Sequence, residues 1–475
     1  MASFPGTNAP ILSARAGRLR FIMAIFFSLM TAGCQIFTMN NMHNQRLDPN
    51  AAQKTRATET VADEDLYNSK FIGIALSGGG SRAANFSAAV LFELDDKLQV
   101  LDKTTAISSV SGSSLPAAYY GLYGRNESRW VPDEVRKQLK KNFEAPWIAQ
   151  WFLPWNAALY WTSNFNRSDL MKEVLDSNLF HGSTFASMGS GRPHILINST
   201  SLSRGEHFIF SEEKFGSRLN SRIDTYPVAN AVMASSAFPG AFHDMTLYDF
   251  SGSQGAQGEE EYAHVIDGGS FDNLGLITLL DMVDQVQNVS KKSSQCFLII
   301  VDAYPYPIKP RHIHDADTRK FIDYFIDSNI VASSDALLTV RRSDLLDQVN
   351  VEMEVDGPQI DPFCSQQDNK TIFLDNDREV KCGFWHISLQ RLLSTDFQKY
   401  AIQAGVTEEK IKELASIVNS IPTRYQLTEK DKDGKDITPD VLQEYLFTAA
   451  RYLINYDRDK GGKPILSQIQ EWLNK

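Results

Sequence analysis

The clearest indication of the fold is the sequence of residues 71–82, Phe71-Ile-Gly-Ile-Ala-Leu-Ser-Gly-Gly-Gly-Ser-Arg82. Its first six residues form an apolar run that leads directly into glycines, which is typical of a buried strand in a parallel sheet. Residues 83–98 then repeat apolar side chains at helical spacing. A second strand over 104–110 and a second helix over 115–123 follow, so the order of elements predicts a parallel βαβ arrangement.

Further elements are expected along the rest of the chain. Short apolar runs predict strands at 194–198, 207–210, 264–267, 296–302 and 384–389. Helical periodicity predicts helices at 228–236, 276–286, 321–340, 397–421 and 440–456.

The first chemical motif is Ser77-Gly-Gly-Gly-Ser-Arg82, between the first strand and its helix. Consecutive glycines let backbone N–H groups point into one cavity beside a helix N-terminus, where they can bind a phosphate or an oxyanion. A phosphate-binding P-loop needs a lysine that is missing here, and the glycine spacing of a dinucleotide fingerprint is also absent. An oxyanion-binding loop and a merely tight turn remain as interpretations.

The second motif is Ser109-Val-Ser-Gly-Ser-Ser114, between the second strand and helix. A nucleophile elbow needs small residues two positions before and two after the nucleophile. Ser111 has serines at both positions, whereas the later serines would place Leu115 or Pro116 at the second one. Ser111 is therefore the candidate nucleophile, and a serine-rich helix cap is the alternative.

The third motif is Asp267-Gly268-Gly269, at the end of a predicted strand. An aspartate there can reach a serine at the end of a neighbouring strand and accept its proton. Since its ordinary pKa of about 3.9 makes it a weak base in water, the carboxyl would have to be desolvated. Taken alone, the motif also fits an Asx turn.

In this order, the three motifs resemble the patatin-like phospholipase family, which has a Gly-Gly-Gly-x-Arg loop, a serine elbow and an Asp-Gly-Gly. Residues 228–239, Val-Ala-Asn-Ala-Val-Met-Ala-Ser-Ser-Ala-Phe-Pro, are similar to the Ala-Ser-x-Ala-x-Pro helix of that family. The resemblance covers about residues 71–310. It implies a three-layer α/β fold with a mainly parallel central sheet flanked by helices, plus a mainly helical C-terminal extension.

The resemblance also implies a carboxylic ester hydrolase, a phospholipase A or lysophospholipase, that uses a Ser–Asp dyad. Asp267 would accept the proton of Ser111, which attacks the ester carbonyl. Arg82 would orient a lipid phosphate or brace the glycine loop. No cofactor and no metal is expected. The oxyanion hole would be formed by Gly78, Gly79 and Gly80.

Two alternatives remain open for the function. One is an esterase with a Ser–His–Asp triad, for which His386 in a late apolar strand is the best candidate histidine. The other is a lipid-binding scaffold of the same fold with weak catalytic activity.

The N-terminus predicts export and attachment to a membrane. Residues 1–33 carry three arginines and no acid, and an apolar run ends in small residues before Cys34. This pattern is typical of a secretory signal and resembles the bacterial lipobox, in which the cysteine is lipidated. An uncleaved anchor is the alternative, because no charge occurs between Phe21 and Met39.

These features predict four parts of the chain and a location. A signal peptide (1–33) precedes a polar tether (34–70), the catalytic domain (71–310) and the helical extension (311–475). Gln35, in place of Asp, favours a lipid anchor in the outer membrane facing the periplasm of a bacterial cell envelope. The expected partners are this membrane and a phospholipid or lysophospholipid substrate.

Composition excludes several other classes. With 43% apolar residues in 475, the chain has ample material for a core, and a net charge of −11 argues against nucleic acid as a partner. Four cysteines exclude a disulfide scaffold. Cys364 and Cys382 either bridge in an oxidising compartment or remain free thiols, and Cys296 is expected to be a buried thiol.

One segment is rich in aromatic residues. Such side chains suit a membrane interface, a lid over an acyl groove, or simply the core, and all three interpretations remain open. The segment contains Phe143, Trp147, Trp151, Phe152, Trp155, Tyr160 and Trp161.

Overall fold

The computed structural model describes residues 42–48, 70–126, 128–189, 191, 193–252, 261–290, 295–305, 328–348, 370–374, 378–431, 433–459 and 461–474. The predicted signal peptide, Cys34, Cys364 and most of the polar tether lie outside these ranges. Among the described helices, none has both the length and the apolar character needed to cross a bilayer.

Eleven strands occur in the described ranges. They are β1 (Gln45–Arg46), β2 (Phe71–Leu76), β3 (Ala106–Val110), β4 (His194–Ser201), β5 (Glu206–Phe210), β6 (Ser221–Arg222), β7 (Met245–Asp249), β8 (Glu261–Asp267), β9 (Cys296–Asp302), β10 (Lys370–Leu374) and β11 (Arg378–Ser388).

Fifteen α-helices accompany them in the same ranges. They are α1 (Gly80–Leu98), α2 (Ser114–Tyr123), α3 (Pro132–Leu139), α4 (Glu144–Trp151), α5 (Pro154–Thr162), α6 (Arg167–Leu175), α7 (Glu212–Leu219), α8 (Val228–Ser235), α9 (Gly269–Asp272), α10 (Leu276–Ser290), α11 (Ser328–Gln348), α12 (Thr395–Gln403), α13 (Glu408–Ser420), α14 (Pro439–Tyr456) and α15 (Ile465–Asn474).

The central sheet has the strand order β10-β11-β9-β2-β3-β4-β8-β7, with β5 also paired to β4. The five strands from β11 to β4 are parallel to one another, and β5, β7, β8 and β10 are antiparallel to their neighbours. The predicted α/β class with a mainly parallel sheet is confirmed. β10 and β11 extend the sheet beyond β9. The sheet therefore contains strands from both the predicted catalytic domain (71–310) and the predicted C-terminal extension (311–475).

Both faces of the sheet are covered, which explains the unbroken apolar run in β2. Ile72, Ile74 and Leu76 pack into the core on the side of α1. Phe71 and Ala75 pack into a second core on the other face, against residues of α10. All six residues of β2 are buried.

Two expectations about the C-terminal region need correction. The single helix predicted over 397–421 is two helices, α12 and α13. Gly405 between them has a φ of 94°, a left-handed conformation that ends a helix. Thr407 then starts α13 by accepting a hydrogen bond from the amide of Lys410 at 3.4 Å.

The cysteine expectations were also wrong. Cys382 forms a disulfide with Cys296, so it is neither free nor bonded to Cys364. The two cysteines face each other in the parallel pairing of β9 and β11, with their Cα atoms 4.5 Å apart. They are 86 positions apart in the chain, so only the strand register brings them together.

Candidate active site

Ser111 lies at the carboxyl end of β3, in the tight turn that leads into α2. Its φ is 52°, a left-handed conformation that residues with a side chain rarely adopt and that is common in strained functional turns. Ser111 is partly exposed, whereas Ser109, Ser113 and Ser114 are fully buried. Of the serines in the motif, Ser111 is therefore the one that a substrate can reach.

The neighbouring serines support the turn. The Ser113 hydroxyl donates to the Ser77 carbonyl at 2.5 Å and lies 2.8 Å from the Ser87 hydroxyl. The Ser114 hydroxyl lies 3.0 Å from that of Ser235. These contacts fix the elbow to the glycine loop on one side and to α8 on the other.

The elbow rests directly on the glycine loop. A Cβ atom at Gly112 would lie 2.1 Å from the Gly80 carbonyl oxygen, so only glycine allows this approach. Gly80 has a φ of 59°, and a Cβ there would lie 2.4 Å from the Arg424 carbonyl oxygen. The loop is thus held between the nucleophile turn and a segment of the C-terminal region.

The amides of this loop differ in their availability. The Gly78 amide donates to the Asn273 carbonyl at 2.9 Å, and the Ser81 amide donates to the Arg424 carbonyl at 2.7 Å. Within the described ranges, the amides of Gly79 and Gly80 have no such acceptor. Because the Gly78 N–H is already engaged, Gly79 and Gly80 are the candidate donors to an oxyanion in this loop.

The sheet topology brings Asp267 to the same place. β3 pairs with β4 as far as Val110 opposite Asn198, and β8 continues along that edge with Asp267 opposite Ser199. β5 occupies the other edge of β4. Because β8 runs antiparallel to β4, the carboxyl ends of β3 and β8 meet, and Asp267 approaches Ser111.

The carboxyl of Asp267 is desolvated, with 3% of the residue exposed. Its Oδ1 accepts a hydrogen bond from the Gly269 amide at 2.8 Å. Burial raises the pKa of Asp267 to about 7, although hydrogen bonds with the Gly269 amide and the Ser111 side chain favour the ionised form. The carboxyl can therefore exchange a proton near neutral pH.

Ser235, at the end of α8, links the two motifs. Its hydroxyl accepts a hydrogen bond from the Ser111 amide at 2.9 Å, and its carbonyl accepts one from the Gly268 amide at 3.2 Å. The Ala237 carbonyl accepts from the Asp267 amide at 3.1 Å. Sequence analysis singled out this segment but assigned Ser235 no role.

Arg82 is 2% exposed and its guanidinium contacts the backbone of two other segments. Its Nε donates to the Ala303 carbonyl at 2.9 Å, its Nη1 to the Ile421 carbonyl, and its Nη2 to the Thr423 hydroxyl at 3.2 Å. Of the two roles considered for Arg82, these contacts correspond to bracing the loop.

Comparison with known protein families gives a match over part of the chain. Residues 74–280 match the sequence model of the patatin-like phospholipase family. The chain contains a patatin-like phospholipase domain. The predicted resemblance to this family is confirmed by this match over the matched residues.

Similar solved structures have low sequence identity. Human GIVD cytosolic phospholipase A2 has a TM-score of 0.46 and 14% identity, covering 91% of this chain and 65% of that one. The same enzyme with methyl gamma-linolenyl fluorophosphonate and terbium chloride has a TM-score of 0.44 and 14% sequence identity. The match covers 85% of this chain and 59% of that one. VipD from Legionella pneumophila has a TM-score of 0.26 and 13% sequence identity, and the match covers 68% of this chain and 61% of that one. The chain thus spans less than two thirds of each. No curated protein sequence matches the chain.

Tyr425 is a residue of the patatin-like site that sequence reasoning missed. It lies in the C-terminal region, is 9% exposed, and donates its hydroxyl to the Ser236 carbonyl at 3.3 Å. Burial raises the pKa of Tyr425, so its hydroxyl stays protonated at neutral pH, and the side chain of Ser111 is close enough to influence this pKa. No local motif marks this tyrosine, which lies over 300 positions from the nucleophile.

His386 does not belong to the patatin-like site, which corrects the triad alternative. Its Nε2 lies 2.9 Å from Oδ2 of Asp302, in a buried cluster with Arg342. Burial opposes ionisation of Asp302, but Arg342 and His386 hold its pKa well below the usual range. β11 is three strands from β3, about 14 Å at the usual strand spacing. In the described ranges, no histidine hydrogen-bonds Ser111.

Proposed function

We propose that this protein is a serine acyl hydrolase that cleaves acyl esters of glycerophospholipids or lysophospholipids, with Ser111 as nucleophile and Asp267 as general base. One observation carries the proposal: a partly exposed serine at a left-handed turn interacts with a buried carboxyl whose pKa is about 7. The patatin-like domain supports the substrate class.

In the first half of the reaction, the Ser111 oxygen forms a bond to the ester carbonyl carbon while its proton passes to Asp267. The carbonyl oxygen becomes an oxyanion, and the amides of Gly79 and Gly80 are the candidate donors to it. The bond to the alcohol oxygen then breaks. That oxygen takes the proton from Asp267 and leaves as the lysolipid or glycerol-phosphate product, with the acyl group on Ser111.

Water completes the second half. The water oxygen attacks the acyl carbon while Asp267 accepts a proton from the water. The amides of Gly79 and Gly80 are again the candidate donors to the oxyanion that forms. The bond to Ser111 then breaks, and the serine oxygen recovers a proton from Asp267. The fatty acid leaves, and the enzyme returns to its starting state.

The proposal includes attachment to the outer membrane through a lipid on Cys34. The chain has a net charge of −11, which does not favour adhesion to anionic lipid, so an anchor would supply the attachment. Cys34→Ser should release the protein from the membrane fraction and slow its hydrolysis of membrane lipid. Release with unchanged activity on membrane lipid would show that the anchor has no part in catalysis.

Labelling with a fluorophosphonate tests the chemistry. The intact protein should take one label at Ser111, Ser111→Ala should take none, and the exposed Ser420→Ala should behave like the unaltered chain. Absence of label from Ser111 in folded protein contradicts catalysis and favours the lipid-binding scaffold. Each of the nine histidines should be replaceable by alanine with activity retained. Loss of activity from one such change in a folded protein contradicts the dyad.

A further inference from the structure

Four large aromatic side chains are exposed within ten consecutive residues. Phe152 is 67% exposed, Trp155 62%, Tyr160 43% and Trp161 61%. The last three belong to α5, a helix with no fully buried residue. We call these four residues the aromatic surface. Most large apolar side chains of a folded protein are covered, so a cluster of this kind indicates a contact with something else.

The aromatic surface lies in a stretch without charge. No lysine, arginine, aspartate or glutamate occurs between Ala145 and Asn166, and the polar residues there are neutral amides and hydroxyls. Tryptophan and tyrosine concentrate at the boundary between lipid and water, because each has an apolar body and a hydrogen-bonding tip. A protein-binding surface has a polar rim that commonly includes charged groups. The stretch itself has none, and one charged residue that borders it is Arg167, whose guanidinium lies 5.7 Å from the centre of the Trp151 ring. The composition therefore favours a lipid surface.

Packed rings connect this region to the catalytic site. The ring of Trp151, next to Phe152, lies 4.7 Å from that of Trp147, which lies 4.7 Å from Phe242. The ring of Phe242 lies 5.6 Å from that of Tyr425, whose side chain lies near Ser111. Three ring contacts thus connect the aromatic surface to the segment beside Ser111.

We propose that the aromatic surface inserts into the interface of a neutral lipid bilayer and so presents the patatin-like site to ester bonds in that bilayer. This inference rests on the proposed function. Insertion depends on burial of aromatic rings and not on charge. It is therefore insensitive to salt and to the fraction of anionic lipid, in contrast to attraction by a basic patch.

The test compares two double variants of the full chain, both with Cys34→Ser to remove lipidation. One carries Trp155→Ser and Trp161→Ser. The control carries Leu202→Ser and Ile402→Ser, which change exposed apolar residues outside the aromatic surface. Binding to phosphatidylcholine vesicles is measured by flotation with Ser111→Ala added to each. Hydrolysis is measured on the same vesicles and on monomeric dibutyrylphosphatidylcholine.

The tryptophan variant should bind vesicles at least about tenfold more weakly, since two large apolar side chains no longer insert. Its hydrolysis of vesicles should fall in proportion, and its rate on the monomeric ester should stay unchanged. The control should match the parent. Raising the salt or adding phosphatidylglycerol should leave parent binding nearly constant.

Three results would overturn the inference. Equal vesicle binding by the tryptophan variant and the control would show that the aromatic surface does not bind the bilayer. If the tryptophan variant hydrolysed vesicles and the monomeric ester more slowly by the same factor, the tryptophans would instead stabilise the fold or line an acyl groove. A parent that is dimeric in size-exclusion chromatography, with a monomeric variant that still hydrolyses vesicles, would assign the surface to a second copy. If the unaltered chain hydrolyses neither substrate, the proposed function fails, while the binding comparison still tests the surface.

Discussion

Replacing Asp267 with asparagine separates the chemical role of the carboxyl from its effect on stability. Burial raises the pKa of Asp267 from 3.8 to about 7. Ionising it in the folded protein therefore costs roughly 4 kcal/mol more than in the unfolded chain. Asparagine cannot ionise, yet its side-chain oxygen can still accept the hydrogen bond from the Gly269 amide.

The sign of the pH effect follows from the two pKa values. Below about pH 4 the carboxyl is protonated in both states, so its full contribution to stability is present. As the pH rises towards 7, the unfolded chain gives up this proton while the folded protein retains it, and stability falls. Above about pH 7 both states are ionised. The stability of Asp267→Asn relative to the unaltered protein should therefore increase by up to roughly 4 kcal/mol between pH 4 and pH 8.

Activity should change in the opposite sense. The unaltered enzyme should gain activity as the pH rises through about 7, because Asp267 accepts a proton only when ionised. Asp267→Asn should lose activity at least about a thousandfold at every pH, since the base is gone. The assays are urea unfolding followed by tryptophan fluorescence, and hydrolysis of a soluble ester, both from pH 4 to pH 8.

A matched control uses Asp433, an exposed aspartate in a turn. Asp433→Asn should keep full activity. A constant difference for Asp267→Asn across this pH range would refute the argument that its carboxyl is desolvated. Retained activity in that variant would refute its role as the base.

Two further variants test the support around the nucleophile. Gly112→Ala should lower kcat at least about a hundredfold, because its Cβ would lie 2.1 Å from the Gly80 carbonyl oxygen and would force the elbow away from the glycine loop. Gly216→Ala, where a Cβ meets nothing within 4 Å, is the control, and similar activity in both variants would contradict this account. Tyr425→Phe should lower kcat about tenfold with the fold intact, because the ring still packs on Phe242 while the site loses the hydroxyl that lies near Ser111. An unchanged kcat would exclude Tyr425 from positioning the serine.

Local patterns were sufficient to predict the first part of the site. The apolar run of β2 followed by glycines predicts a buried parallel strand, which occurs in the structure. It also predicts a loop whose amides can bind an anion, and among the described residues the amides of Gly79 and Gly80 have no backbone acceptor. The small residues around Ser111 predict the tight turn at the end of β3. In each case the information lies within a few residues, because the backbone conformation is set by side-chain size and by glycine.

Features that depend on distant pairing could not be predicted. The disulfide between Cys296 and Cys382 follows from the register of two parallel strands, which the spacing of cysteines does not specify. Tyr425 lies in an irregular segment and reaches Ser111 only through tertiary packing. The engagement of the Gly78 amide likewise depends on where Asn273 is placed by the loop before α10.

The contact between the glycine loop and residues 421–425 bears on when the enzyme becomes active. Ser81 and Arg82 both donate hydrogen bonds to this late segment, and Tyr425 within it reaches the nucleophile. These residues follow Ser111 by more than 300 positions, so they are synthesised long after it. A growing or truncated chain therefore has the serine and the aspartate without their complete surroundings. The proposed nucleophile and base are therefore present well before the segment that completes their surroundings, and the proposed acyl transfer should require a chain that extends through residue 425.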